Sequence, residues 1–167
     1  MASLPVDPVA MDARRARAIA RRAHAADWEE GGAPLLRHIA RVVARVPAEA
    51  RSVAWLHEVL DSATVTEHAL LGYGLDEEEL RALRLLGRPT HSRSAPVYLA
   101  HVELIACAAG RSGRLARMVK VADLEDRCRH PRVRADGWSP PYELALRRLE
   151  KVTGNTHART MAAAGER

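Results

Sequence analysis

Phenylalanine is absent from this 167-residue chain, and tryptophan and tyrosine occur only three times each. With alanine, leucine, arginine and glutamate abundant, that shortage of aromatics favours helices over strands. Cysteine occurs twice, at Cys107 and Cys128, and neither lies in a Cys-x-x-Cys pair. A disulfide framework and a cysteine-based metal knuckle are therefore not indicated. No apolar run approaches the roughly 20 residues that cross a bilayer. The first ten residues carry Asp7 and two prolines and lack the apolar core of a signal segment. These absences lead to the expectation of a cytoplasmic protein with no membrane partner.

Hydrophobic residues make up 47% of the chain, which excludes a disordered composition. The length suits one domain and leaves little room for a second. The formal charge is +5, and arginine far outnumbers lysine. A basic balance suits an anionic partner. Any single arginine, however, is more often a solvated residue on the outer face of a helix. The basic residues are dispersed and interleaved with acids, with no aromatic platform for bases, which argues against nucleic acid.

The periodicity predicts an all-α fold, an irregular single-domain bundle of seven or eight helices. Residues 1–10 read as a flexible lead-in, 11–153 as the helical domain and 154–167 as a mobile tail without apolar periodicity. A first helix is expected from Met11 to about Ala26, with a small-residue face of Ala16, Ile19, Ala20 and Ala23. Gly31, Gly32 and Pro34 then break the chain. A second helix runs from Pro34 to Arg45 and buries Leu35, Ile39, Val42, Val43 and Val46. A third is expected over Ala48–Leu60, a short one from Thr66 to Leu71, and another from Asp76 to Leu86, opened by a capping box of Asp76 and Glu79. The spacing then predicts a helix over Pro96–Ala109 closed by Gly110. The next is capped by Ser112 and reaches Cys128, and Pro140-Pro141 opens a last one to Val152.

Eight histidines are present, and three have informative positions. His24 ends the first helix, His38 lies inside the second, and His57 lies inside the third, beside Glu58 and one turn before Asp61. Asp123 sits in the apolar setting Met118-Val119-Lys120-Val121-Ala122. Imidazoles and carboxylates together suit Mn²⁺, Fe²⁺, Mg²⁺ or Zn²⁺, and ligands carried on different helices would make a bundle-core site. A lone buried histidine is more often a satisfied core residue than a ligand, so spacing by itself leaves both readings open.

The order of the motifs adds a resemblance. His24, Gly32-Ala33-Pro34 and His38 are followed by Leu56-His57-Glu58-Val59-Leu60-Asp61, and later by Val119-Lys120-Val121-Ala122-Asp123-Leu124. From about Ala13 to Arg129 the chain resembles the HD phosphohydrolase superfamily. In particular it resembles small single-domain relatives of the alarmone (guanosine polyphosphate) hydrolase domain. The resemblance implies one divalent metal, Mn²⁺ first, held by His38, His57, Glu58 and Asp123. It implies that Asp61 helps activate the attacking water, that Lys120 faces phosphate, and that His24 is a pocket histidine that positions substrate or carries a proton. The implied partner is a phosphorylated, nucleotide-like small molecule.

Several positions depart from the family pattern. Glu58 replaces the usual aspartate, and its extra methylene shifts the carboxylate by more than about an ångström, a displacement that can cost about a hundredfold in rate. Ser62 stands where many alarmone hydrolases carry a second acid, and Asp61 is shorter than the glutamate usual there. Asp27, Glu29 and Glu30 follow His24, where the family places glutamine and basic residues. Acidic groups repel a pyrophosphate, which argues against a guanosine polyphosphate as substrate. Arg127 stands where the family often has asparagine, and can supply a phosphate contact. His91 is as readily a loop residue as a pocket one. His68, His101, His130 and His157 read as surface or core, and Trp28 and Trp55 as packing residues, Trp28 also close enough to His24 to line a pocket mouth. The leading expectation is metal-dependent hydrolysis of a phosphate ester or pyrophosphate bond. The alternative is a catalytically degenerate HD domain that binds a nucleotide or a protein partner without turnover.

Overall fold

The structure is a computed structural model that describes residues 10–27, 34–62, 64–87, 94–130 and 140–151. Residues 1–9 of the expected lead-in, Trp28, Glu29, Glu30, the Gly32-Ala33 pair, His91, His157 and the C-terminal tail lie outside the described residues. Every regular element among those described is helical. In chain order they are α1 (Ala13–Ala23), α2 (Leu35–Arg45), α3 (Arg51–Leu56), α4 (Glu67–Gly72), α5 (Glu77–Leu86), α6 (Ala95–Cys107) and α7 (Gly110–Arg129). An eighth helix, α8, covers 142–151. Two single 3-10 turns, Ala48–Ala50 and Val59–Asp61, flank α3. None of the described helices is long and apolar enough to cross a membrane.

Local chemistry sets most of the helix starts. The Asp12 carboxylate accepts from the Arg15 N–H at 2.7 Å and opens α1. Thr66 does the same for Ala69 at the head of α4. Asp76 and Glu79 form the expected reciprocal capping box at α5, each satisfying a backbone N–H that the helix itself leaves without a partner. Between α4 and α5 the chain turns at Gly74, whose φ of 91° is a left-handed conformation that suits glycine.

Helix α7 is the centre of the bundle. It packs against α2, α3, α5 and α6, and buried residues occur around much of its circumference. One side belongs to the larger apolar core, where Leu115, Ala116 and Val119 meet Ile39, Val42, Val53, Leu56, Leu80 and Leu83. The other side belongs to a smaller core in which Leu124 joins Leu99, Val102 and Ala106 of α6 and Ala145 and Leu149 of α8. A helix surrounded in this way is not amphipathic in the usual sense. Its buried polar residues, Lys120, Asp123, Asp126 and Arg127, lie in the C-terminal half. Positions 120, 123 and 127 share one stripe of α7.

Two boundaries differ from the sequence expectation, for identifiable reasons. The third helix is not continuous over Ala48–Leu60: it is α3 between two 3-10 turns, and His57 and Glu58 occupy the break. The Ala54 carbonyl, which would accept from the Glu58 N–H in a continuing helix, accepts instead from His57 Nδ1 at 2.7 Å. Gly110 does not close α6. It begins α7 with φ 73°, so Ser112 lies inside the helix and its N–H donates to Glu78 Oε2 at 3.1 Å. Gly113 is needed there for space, since a Cβ would stand 2.1 Å from the Ala108 carbonyl oxygen.

Candidate metal centre

Three elements bring His38, His57, Glu58 and Asp123 together. His38 comes from the middle of α2, His57 and Glu58 from the break after α3, and Asp123 from α7. All four are buried, and one potential ligand atom from each lies within 4.8 Å of every other. Two imidazoles and two carboxylates are a donor set suited to a divalent ion of borderline hardness. Ligand atoms around one such ion stand at most about 4.4 Å apart, twice a metal–ligand distance of about 2.0–2.2 Å. No pair in the quartet exceeds that limit by more than about 0.4 Å.

The hydrogen bonds of the two histidines are more informative than their proximity. His57 donates its Nδ1–H to the Ala54 carbonyl, and its Nε2 is buried with no hydrogen-bond partner among the described residues. Burial holds its pKa down to about 4, against the pull of Glu58 and Asp123, so the ring is neutral near pH 7. A neutral imidazole with its proton fixed on Nδ1 presents a bare lone pair at Nε2, and that atom lies 3.7 Å from Glu58 Oε1. His38 is held in the same way. Its Nδ1 donates to Asp126 at 2.8 Å, and its Nε2 lies 3.2 Å from Asp123 Oδ1. Each ring therefore has its outer nitrogen tied to an acceptor and its inner nitrogen turned to the quartet, the arrangement that orients ligating histidines in metal sites.

Asp126 is the anchor behind His38. It is fully buried and accepts from Arg41 Nε at 2.8 Å, Arg41 Nη2 at 2.9 Å and Arg45 Nη1 at 2.9 Å, besides His38. Burial alone raises a carboxyl pKa, but the hydrogen bonds from His38, Arg41 and Arg45 outweigh it and hold Asp126 well below the usual range. Arg41 and Arg45 are thus not the solvated outer-face arginines that composition suggests. They repeat at the i+3 and i+7 positions from His38, on its face of α2.

Two buried cations complete the cluster. Lys120 Nζ donates to Asp123 Oδ2 at 2.9 Å. Arg127 donates from Nε to Asp123 Oδ1 at 2.6 Å and from Nη2 to Glu58 Oε1 at 2.7 Å. Burial opposes charge on all of these groups, yet their mutual attraction wins. Asp123 is driven well below its ordinary pKa by Arg127 and Lys120, while Lys120 and Arg127 are both raised. His38 is also raised, because Asp123 and Asp126 together outweigh its desolvation.

An aromatic wall borders the cations. The Lys120 ammonium lies 5.5 Å from the centre of the Tyr98 ring, and the Arg127 guanidinium 5.7 Å from that of Tyr142. The two tyrosines meet edge to face at 6.0 Å. The Tyr98 hydroxyl is buried without a hydrogen-bond partner among the described residues.

The remaining expected site residues lie elsewhere. His24 caps α1, is buried, and binds Asp27 Oδ2 through Nδ1 at 2.7 Å, while its Nε2 has no partner among the described residues. It is not one of the four clustered residues. Asp61 ends the 3-10 turn after Glu58 and is exposed to solvent, also outside the quartet. Ser62 bonds Thr64 rather than any site residue. His101 donates to the Leu85 carbonyl, and His68 and His130 are exposed. Both cysteines are free.

Asp126, Arg41, Arg45, Tyr98 and Tyr142 were not expected from the sequence. The first three had a signal in the helical spacing of Asp126 from Asp123 and of the arginines from His38. The tyrosines had none, because α6 and α8 carry no motif. A search with protein-family models finds none that matches this chain, and a search of curated proteins finds no significant relative.

Proposed function

We propose that the chain is an HD-type metal-dependent phosphohydrolase, acting on a phosphate ester or pyrophosphate bond in a nucleotide-like small molecule. The observation that carries this reading is the bare Nε2 of His57. It is a buried lone pair with no partner among the described residues, facing a second oriented imidazole and two carboxylates. An unsatisfied buried polar atom is costly, and a divalent cation supplies its missing partner.

His38, His57, Glu58 and Asp123 would hold the ion, Mn²⁺ first, with Fe²⁺, Mg²⁺ or Zn²⁺ as alternatives. When bound, such an ion polarises a phosphoryl oxygen and makes water a better nucleophile at neutral pH. The chain's own residues do the rest. Lys120 and Arg127 offset charge that builds on the phosphoryl oxygens, and the Tyr98 hydroxyl, without a partner among the described residues, is a further donor beside them. Asp61, on the solvent side of Glu58, orients the attacking water. His24, whose Nε2 has no partner among the described residues, positions the substrate or relays a proton. The protein as a whole is read as cytoplasmic.

The test is hydrolysis of a panel of phosphomonoesters and nucleotides with and without added Mn²⁺. The expected result is metal-stimulated turnover of at least one compound, lowered by more than about 100-fold in His57→Ala, a larger loss than the 10–100-fold typical of residues one shell further out. His57 is uncharged near pH 7, so its removal strands no buried charge, and circular dichroism should show an intact fold. Mn²⁺ binding without turnover of any compound would favour the second reading, an HD domain that binds its ligand but does not cleave it. The seat of Arg127 across Glu58 and Asp123 speaks for that reading. Absence of both Mn²⁺ binding and turnover would remove the hydrolase reading and leave only the second.

A further inference from the structure

We propose that the Arg127 guanidinium is a built-in cation standing in the metal position, so that a divalent ion enters the quartet only when this side chain leaves it. The inference rests on the metal reading above and adds a condition to it. Arg127 touches three of the four residues in question. Its Nε lies 2.6 Å from Asp123 Oδ1, and its Nη2 lies 2.7 Å from Glu58 Oε1 and 3.4 Å from His38 Nε2. An ion about 2.0–2.2 Å from those same atoms would occupy the space that the guanidinium fills.

The charges point the same way. Glu58 and Asp123 carry two negative charges, and Lys120 and Arg127 carry two positive ones, all of them buried. These two acids and two cations offset one another as they stand. Adding a divalent ion beside a seated guanidinium would set like charges against each other in a poorly solvated space, which is strongly unfavourable. Removing Arg127 from the cluster restores the negative charge that attracts the ion. Arg127 is anchored by charge-assisted bonds at both ends of its fork, so the seated state dominates. A site open only part of the time binds with an affinity reduced by that fraction. Arg127 is thus a brake on metal uptake.

The experiment is calorimetric titration of the full chain with MnCl₂, comparing wild type with Arg127→Gln and Arg127→Lys. Glutamine removes the charge, and lysine keeps it on a single point that cannot bridge Glu58 and Asp123 together. Both variants are expected to bind Mn²⁺ more tightly than wild type, Arg127→Gln by about tenfold or more. Should Arg127→Gln require metal to fold, its melting temperature will rise with Mn²⁺ far more than that of wild type, which carries the same conclusion. Should it stay unfolded at every Mn²⁺ concentration, Arg127→Lys decides by the same comparison. Wild type binding Mn²⁺ with folded variants no tighter would overturn this inference and leave the metal reading standing. No Mn²⁺ binding by wild type or by either folded variant would overturn both.

Discussion

Replacing Asp126 with alanine is expected to lower the unfolding free energy by about 3 kcal/mol, the lower end of the range for breaking a buried ion pair, and to weaken metal binding by about 10–100-fold. Asp126 is fully buried and answers three cationic or hydrogen-donating side chains, His38, Arg41 and Arg45. Alanine would leave the buried His38 Nδ1–H without an acceptor. The two arginines are better placed. Their side chains keep 30% and 24% of their exposure, so they can turn toward water, and this holds the loss to the lower end. The effect on metal is indirect. Without its acceptor, His38 loses the contact that fixes its ring, and Nε2 no longer points reliably at the quartet. Asp126→Asn keeps an acceptor oxygen for His38 but not the charge that pairs the arginines, so its losses should be intermediate. Urea unfolding curves and Mn²⁺ titration of the same samples check both halves. Unchanged stability and unchanged affinity in Asp126→Ala would mean that His38 is oriented by something else.

The second large effect concerns Asp123. Asp123→Ala removes the one carboxylate that pairs with both Lys120 and Arg127, whose side chains are under a tenth exposed. Arg127 retains Glu58, but Lys120 is left buried with no anionic partner in the cluster. A loss of about 3–5 kcal/mol follows, a large fraction of the roughly 5–15 kcal/mol that holds a domain folded. Metal binding should vanish as well, because Asp123 is one of the quartet. Adding Lys120→Met removes the stranded charge, so the double variant should be more stable than Asp123→Ala alone. A double-mutant cycle from denaturant unfolding measures that coupling. If the two substitutions simply add, the Lys120–Asp123 pair contributes nothing beyond its parts.

These two residues also show how far the sequence could be read. Asp123 was legible because it sits in an apolar run and falls in order with the histidines upstream. Asp126 was not singled out, although it follows Asp123 by three positions on the same helix. An acid within an arginine-rich stretch reads as a surface residue until Arg41 and Arg45 are known to lie across from it. The helices were legible wherever capping chemistry or apolar spacing was strong, as at Asp76 and along Ile39, Val42 and Val43. The reading failed where a side chain overrode the backbone pattern. At His57 an imidazole took the carbonyl that would have continued the helix. At Gly110 a left-handed glycine opened a helix instead of closing one. The Tyr98–Tyr142 wall was invisible because it is made by packing α6 and α8 on α7, contacts that no local pattern encodes. The role of Arg127 was half legible. The family resemblance alone singled it out, as a basic residue four positions after Asp123 that either contacts phosphate or lies on the surface, and nothing foretold its insertion between Glu58 and Asp123.

The central claim is that His38, His57, Glu58 and Asp123 bind one divalent ion together, and the most direct test is diffraction from Mn²⁺-soaked crystals at the manganese absorption edge. A single anomalous peak is predicted inside the quartet, about 2.0–2.2 Å from His38 Nε2, His57 Nε2 and one carboxylate oxygen each of Glu58 and Asp123, with the Arg127 side chain moved out of the cluster. Well-diffracting crystals of both wild type and Arg127→Gln that show no peak there at saturating Mn²⁺ would contradict it.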